Sequence, residues 1–223
     1  MNNKTWLCLG LLAAFFISGC GRQNSPLVDT VKLAVTGQPD VTVPAEKVAA
    51  IPYASAYLKV GETPRAFVVL GFAEAGRLKW LTADHNMVVT RHGRIVKTLG
   101  FGADLLHSSV AEQDPLALGL LNKETPLHWQ HREVWAQQHQ GGYTLNSTFV
   151  IKGHESVSIQ GKAYDLMRVE EQVDVPAMNT QYINIFWLEP ASGQVVQTHQ
   201  YLGPGLPVVQ FTILKPYASR GII

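Results

Sequence analysis

The side chains best suited to binding a ligand lie around one predicted turn, at Gly93. They combine three cations with an aromatic ring and a carboxylate: Trp80, Asp84, Arg91, Arg94 and Lys97. Sugar-binding surfaces use such groups, because the ring stacks on a sugar and the charged groups bond its hydroxyls. A solvated hairpin tip with Trp80 in the core explains the same residues. The pattern therefore gives a candidate ligand or partner surface and leaves the structural interpretation open.

Sequence signatures of catalysis are absent. There is no Gly-x-Ser-x-Gly nucleophile turn, no His-Glu-x-x-His metal motif and no glycine-rich phosphate loop. On strands, Glu170 and Glu171 face opposite sides, and so do His128 and His131, so neither pair can share a substrate or a metal ion. We therefore predict no catalytic residue, no metal, no cofactor and a protein that is not an enzyme.

The elements that position these residues read as strands. Short β-branched and aromatic runs separated by turn residues recur from Ala66 to Leu214. Residues 65–99 are predicted to form a four-stranded antiparallel meander, with Gly93 supplying the positive φ of a tight hairpin. The predicted fold class is all-β: an antiparallel, meander-rich, barrel-like domain with short helical insertions.

The stretch from Asp104 to Leu121 breaks this pattern. Asp104 is predicted to cap a helical turn that carries Leu105 and Leu106, and Pro115 to interrupt any longer helix. The leucines after Pro115 are predicted to plug one end of the barrel or sandwich: Leu116, Leu118, Leu120 and Leu121.

The N-terminus has the pattern of a bacterial lipoprotein signal. Residues 1–19 hold one lysine, no acidic residue and an apolar run too short to span a membrane. Cys20 follows Ile17-Ser18-Gly19, which resembles a lipobox, where the cysteine thiol is acylated and the chain is cut before it. Two or three acyl chains anchor a protein stably. Gly21 stands where an aspartate retains many such proteins at the inner membrane, which favours the outer membrane.

These signals divide the chain into three parts. Residues 1–19 are predicted to be the signal peptide, 20–26 a lipidated tether and 27–223 a single periplasmic β domain. Without the signal, 204 of the 223 residues remain, with 17 Lys and Arg (18 minus Lys4) against 17 Asp and Glu. A net charge near zero offers no basic surface for phosphate backbones, so nucleic acid is excluded as a partner.

Several motifs resemble the landmarks of one protein family. The strongest is Thr90-Arg91-x-Gly93-Arg94-Ile95-Val96-Lys97-Thr98-x-Gly100. The others are Pro52-Tyr53-Ala54-Ser55, Trp80-x-x-Ala83-Asp84, Asn184-x-x-Trp187, Ser192-Gly193-x-Val195, Gln200 and Leu214-Lys215-Pro216. Together they are similar to the YjbF/GfcB family of capsule and exopolysaccharide lipoproteins, from about residue 50 to 216. The chain departs from the family at Gln197-Thr198-His199, where Lys-Ser often precedes the glutamine, and at Phe101, where leucine is common.

The resemblance implies a lipid-anchored accessory protein of capsule or exopolysaccharide assembly or export, on the outer membrane and facing the periplasm. It adds Trp187 and Gln200 to the candidate surface, and it implies that Gly93 and Gly193 are structural turn residues. The implied partners are the outer membrane through acylated Cys20, an outer-membrane β-barrel and a small periplasmic export protein, or the polysaccharide. Two alternatives stay open: a lipid or hydrophobic-ligand carrier with a barrel cavity, and a polysaccharide-modifying enzyme.

Overall fold

The computed structural model describes residues 39–109, 113–136 and 142–218. Twelve strands occur in these ranges: β1 (Ser55–Val60), β2 (Ala66–Glu74), β3 (Arg77–Leu81), β4 (Met87–Arg91), β5 (Arg94–Leu99), β6 (Leu105–Ser108), β7 (His128–Trp135), β8 (Tyr143–Ile159), β9 (Lys162–Val175), β10 (Thr180–Leu188), β11 (Val195–Tyr201) and β12 (Val208–Lys215). The predicted signal peptide, Cys20 and the tether lie outside the described residues.

Helix is confined to short segments. They are α1 (Ala45–Ala50), α2 (Pro115–Leu118) and a 3-10 turn at Pro176–Met178. Across the described ranges, no helix has the length and apolarity needed to cross a membrane.

All twelve strands belong to one antiparallel sheet. Its order is β5-β4-β3-β2-β1-β12-β11-β10-β9-β8-β7-β6, so β1 and β12 join two meanders. The end strands β5 and β6 lie next to each other, and Leu105 donates its backbone N–H to Thr98 Oγ1 at 3.0 Å. The sheet is therefore a nearly closed barrel, and the predicted all-β, barrel-like fold class is confirmed.

The meander predicted for residues 65–99 forms as strands β2 to β5. The helical turn predicted after Asp104 is wrong, because Leu105 and Leu106 lie in β6. Asp104 instead lies in the loop before that strand, where it accepts hydrogen bonds from Thr98 Oγ1 and the Gly100 N–H. Strand β1 and helix α1 were not predicted.

Pro115 begins a helix rather than interrupting one. Its missing N–H costs nothing at the first helical position, and Asp114 caps the helix by accepting from the Leu116 N–H at 3.0 Å. Leu116 and Leu120 are buried as the plug prediction requires, whereas Leu118 is 45% exposed. The plug is therefore made by part of the leucine set.

Every second side chain along the strands points inward, and these side chains fill the barrel interior. On β7 the inward residues are Trp129, His131, Glu133 and Trp135, separated by exposed or partly exposed ones. The main core includes Trp80 and Phe211, whose rings meet edge to face at 5.3 Å. Large side chains thus occupy the space between the two ends of the barrel.

The long β8–β9 hairpin folds its tip over the outside of the sheet. Val157, Ile159 and Leu166 pack with Trp187, which makes a separate apolar cluster on the outer face. At the hairpin turn Gln160 Nε2 donates to the Val43 carbonyl at 2.8 Å. The hairpin therefore covers part of a face that would otherwise contact solvent.

Candidate functional site

The residues predicted as one ligand surface lie in different places. Trp80, Arg94, Trp187 and Gln200 are buried, between 1% and 5% exposed. Asp84 and Lys97 are exposed and Arg91 is partly buried. The prediction of a single surface through all seven residues is therefore wrong. Arg94 and Lys97 both lie on β5, but Arg94 is buried and Lys97 is exposed, with a register shift of the β4–β5 pairing between them.

Arg94 forms the centre of an ion network inside the barrel. Its Nε and Nη2 donate to Asp114 Oδ2 and Oδ1 at 2.7 and 3.1 Å. Its Nη1 donates to Glu171 Oε2 at 3.0 Å. The guanidinium also lies 4.8 Å from the ring centroid of Trp129. A buried arginine is thus held by two carboxylates and an aromatic face.

The Glu171 side chain is fully buried, and both of its carboxylate oxygens accept hydrogen bonds. Besides Arg94 it accepts from Asn184 Nδ2 at 2.9 Å and from Trp129 Nε1 at 3.3 Å. Burial opposes ionisation of Glu171, but the charge of Arg94 and its hydrogen bonds lower the pKa of that carboxyl to about 2. Burial likewise opposes the charge of Arg94, yet Asp114 and Glu171 raise the pKa of the guanidinium. Arg94 and Glu171 are therefore both charged at neutral pH.

The network supports two neighbouring elements. Asp114 both pairs with Arg94 and caps α2, so it fixes where that helix begins. Gln200 holds the β4–β5 turn against β11: its Nε2 donates to the Gly93 carbonyl at 2.9 Å and its Oε1 accepts from the Ile95 N–H at 3.1 Å. These buried polar residues therefore position a helix and a turn at the same end of the barrel.

That end of the barrel contains a cleft of about 500 Å³. Its floor is the inward face of the sheet, with Leu78, Trp80 and Phe211 beside the hydroxyls of Thr90 and Thr198. Its walls are α2, the β4–β5 turn, the β10–β11 turn and the segment after β12. Among the described residues no Asp, Glu, Lys or Arg lines it. The cleft is therefore suited to an uncharged, partly apolar group.

Gly93 brings two walls of this cleft together. His92 and Gly93 form the tight β4–β5 turn with φ of +49° and +86°, the combination that two-residue hairpins favour. A Cβ on Gly93 would overlap the Val195 side chain on β11. Gly193 also has a positive φ of +69°, in the β10–β11 turn, but a Cβ there would meet open space.

The two glutamates lie on opposite faces of the sheet, and so do the two histidines, as strand alternation predicts. Glu170 pairs with Arg168 and Lys152 on the outer side, while Glu171 faces inward. His128 is exposed and His131 buried on β7. No group of three or more potential metal ligands occurs in the part of the chain that the structure describes.

Sequence reasoning missed two members of the network, Asp114 and Glu171. The available signals were weak: Glu171 lies between Val169 and Val173 on the apolar side of β9, and Asp114 directly precedes Pro115. Nothing in the sequence spacing connects either residue to Arg94, which lies 20 residues from one and 77 from the other.

Comparison with known proteins places most of the chain in one family. A family model described as group 4 capsule polysaccharide lipoprotein gfcB, YjbF matches residues 28–214. The lipoprotein GfcB of Escherichia coli (strain K12) is 36% identical over 204 residues, covering 91% of this chain and 95% of that protein. The lipoprotein YjbF of the same strain is 30% identical over 206 residues, covering 92% and 95%.

A solved structure agrees with these matches. The crystal structure of the hypothetical lipoprotein YmcC from Escherichia coli (K12) aligns with a TM-score of 0.72 and 34% sequence identity, over 89% of this chain and 100% of that one. The landmarks noted in the sequence, the barrel and the matches over nearly the full length agree. The chain belongs to the YjbF/GfcB family of group 4 capsule polysaccharide lipoproteins.

Proposed function

We propose that this protein is a lipid-anchored accessory factor in capsule or exopolysaccharide assembly or export, and that it acts by binding rather than by catalysis. Acylated Cys20 holds it on the outer membrane, facing the periplasm. Its partners are the polysaccharide or other export proteins, such as an outer-membrane β-barrel and a small periplasmic protein. Anchoring raises the effective concentration of the domain at the export site, so weak contacts suffice.

One observation carries the proposal: the buried ion pairs of the barrel interior lie beneath the cleft and support it, and their charged groups do not line it. Arg94 is buried and is bonded to Asp114 and to Glu171, which are buried as well. General acid–base catalysis needs a group within hydrogen-bond reach of the substrate, with a pKa near the working pH. A carboxylate with a pKa of about 2 is far from that range, and among the described residues His92 and Tyr217 are the titratable side chains that line the cleft, with no Asp, Glu, Lys or Arg, which favours binding.

The family supports the cellular part of the proposal. The matched relatives are lipoproteins, and the family description refers to group 4 capsule polysaccharide. The match begins at residue 28, shortly after the predicted lipidated cysteine at residue 20. An anchor followed by a short tether and a binding domain is consistent with this arrangement.

The alternative of a hydrophobic-ligand carrier has one observation in its favour. The floor of the cleft is apolar around Leu78, Trp80 and Phe211, and Leu118 is exposed at its wall. A carrier needs to enclose its ligand, however, and Trp80, Phe211 and the ion network occupy the interior. We therefore favour a cleft that contacts part of a larger partner or polymer.

The test is the amount of surface polysaccharide in a deletion strain, restored by variants of the gene. Wild type is expected to restore it. Cys20→Ser is expected to move the protein out of the membrane fraction, remove fatty-acid labelling and fail to restore it. Leu118→Asp introduces a carboxylate into a cleft that no Asp or Glu of the described residues lines, and it is expected to restore little. Leu106→Asp is the matched control, because Leu106 is similarly exposed, 42% against 45%, and lies outside the cleft.

Unchanged polysaccharide in the deletion strain, under conditions that express the gene, rejects the export role. Equal restoration by Leu118→Asp and wild type rejects the cleft as the functional site. Excess phospholipid or fatty acid co-purifying with wild type, and lost in Leu118→Asp, supports the carrier instead.

A further inference from the structure

A second pocket lies on the outer face of the barrel, where three neighbouring strands present polar side chains in register. One row across β1, β12 and β11 is Tyr57, Thr212 and Gln197, and the next is Lys59, Gln210 and His199. Residues opposite each other on antiparallel strands share a face, so all six point outward together. The face has two aligned rows of hydrogen-bonding groups.

The tip of the β8–β9 hairpin turns this face into a pocket. Ile159 packs in the apolar cluster around Trp187, and Gln160 is tied to the Val43 carbonyl. Together with Ser158 they enclose about 160 Å³ above the two rows. The outer face of a barrel is ordinarily polar, but it is not ordinarily covered by a hairpin. The hairpin makes this patch concave.

Several polar groups in the pocket have bonding capacity left. Thr212 Oγ1 donates to Gln197 Oε1 at 3.2 Å, which leaves the amide N–H groups of Gln197 available to donate to a ligand. Within the described ranges, Gln210 makes no side-chain hydrogen bond and Lys59 forms no ion pair at salt-bridge distance. Glutamine amides can donate and accept together, which matches the hydroxyls of a sugar.

The guanidinium of Arg65 is fixed at the edge of the pocket by contacts with other residues. Its guanidinium lies 4.2 Å from the Tyr57 ring centroid. Its Nε donates to the Val41 carbonyl and its Nη2 to Thr42 Oγ1, both at 3.1 Å. Among the described residues nothing accepts from its Nη1. A cation fixed by other contacts loses little entropy when it binds an anion.

The charge of the pocket is positive. Lys59 and Arg65 line it, and no carboxylate does so in the described part of the chain. Two acidic groups lie nearby. Asp40 accepts from the Arg65 backbone N–H at 2.8 Å, and its charge also interacts with Lys59 and Arg65, so it offsets part of their positive charge. Glu155 pairs with Arg168. Burial, with the charge of Arg168, lowers the pKa of His199, which keeps its imidazole neutral at pH 7.

We propose that this pocket binds an acidic sugar residue, with its carboxylate at Lys59 and Arg65 and its hydroxyls at Gln197, Gln210 and His199. The inference rests on the proposed function, for which it names the chemistry of one glycan contact. Arginine and lysine with a carboxylate supply the charge-assisted bonds, and the amides supply selectivity for hydroxyls.

The experiment is a titration of the purified full-length lipoprotein, in detergent, with D-glucuronate, D-glucose and acetate, followed by ligand-observed NMR. Glucuronate is expected to bind at least about tenfold more tightly than glucose or acetate, since one charge-assisted hydrogen bond corresponds to such a factor. Lys59→Gln and Gln210→Ala are each expected to weaken glucuronate binding about tenfold. The matched controls are Lys97→Gln and Gln172→Ala, exposed residues outside the pocket, which should leave binding unchanged.

Three results overturn the proposal. Acetate binding as tightly as glucuronate means an adventitious ion only. Glucose binding as tightly as glucuronate means a neutral ligand. Equal loss in Lys97→Gln and Lys59→Gln means a general charge effect. Failure here is separable from failure of the proposed function, because the deletion strain reports export whether or not glucuronate binds.

Discussion

The polar residues inside the barrel and those on its outer pocket behave differently. Inside, Arg94 and Glu171 bond to each other and to further buried groups. Outside, Lys59 and Gln210 stand in a concave patch with bonding capacity left. Both regions are built on the same sheet, and each uses the residues that one face of a strand provides.

The difference teaches how to separate structural from functional polar groups in this fold. A buried polar group must be bonded internally, because an unpaired one costs free energy. Its replacement therefore changes stability. A half-exposed group that water can solvate is not under this constraint, so its replacement changes binding and leaves stability nearly intact.

Removal of Arg94 is the largest expected break in the interior. Arg94→Ala leaves Asp114 and Glu171 buried without their cation, so we expect a loss of about 3–5 kcal/mol in the free energy of unfolding. Denaturant unfolding measures it. Lys97→Ala is the control on the same strand, with an expected change within about 0.5 kcal/mol. A cost for Arg94→Ala as small as that of Lys97→Ala would show that the network is not structural.

Acid should release part of the same stabilisation. The pKa of Glu171 falls from an ordinary 4.5 to about 2 in the folded protein. A carboxyl with a lowered folded pKa stabilises above its unfolded pKa, so this contribution is complete above pH 4.5 and is lost as the pH falls to about 2. The measurement is the free energy of unfolding across that window, compared with Glu171→Gln. If the free energy of unfolding falls equally steeply with decreasing pH in both proteins, other groups cause the loss.

The close approach of two turns gives the next effect. Gly93→Ala combines an unfavourable φ with overlap of Val195, for an expected cost of about 2–4 kcal/mol. Gly193→Ala has the unfavourable φ without the overlap, and about 1–2 kcal/mol is expected. Thermal unfolding of both variants measures the difference. Equal costs would show that contact with Val195 is unimportant.

The smallest effects come from two glutamines that differ in their surroundings. Gln200 is buried and bonds the Gly93 carbonyl and the Ile95 N–H, so Gln200→Ala is expected to cost about 1–3 kcal/mol. Gln210→Ala should change the unfolding free energy by less than about 0.5 kcal/mol. Reversal of this order would contradict the distinction between the two regions.

Much of the fold was predictable because strand signals are local. The meander of β2 to β5 follows from β-branched runs and from Gly93, whose conformation a hairpin needs. The role of Asp104 was predicted wrongly because a carboxylate before two leucines suits a helix cap, while its partners in the structure are Thr98, near the end of β5, and Gly100, just after that strand. The short strand β6 has no alternation long enough to signal it.

The candidate sites were less predictable because they depend on distant pairing. The sequence places Arg94 beside Arg91 and Lys97, which suggested one charged surface. Closure of the sheet instead brings Arg94 to Glu171 in the interior. The outer pocket depends on the register of β1, β12 and β11 and on the bend of the β8–β9 hairpin, neither of which is encoded within a short window.

The most direct test of binding without catalysis is the length of native polysaccharide after incubation with the purified full-length lipoprotein. Size-exclusion chromatography with light scattering gives both the polymer mass and the association of the protein with it. We predict that the protein co-elutes weakly with polymer whose mass distribution is unchanged after prolonged incubation. Polymer that is shortened or otherwise altered by wild type, and unaltered in a protein-free control, would contradict the account.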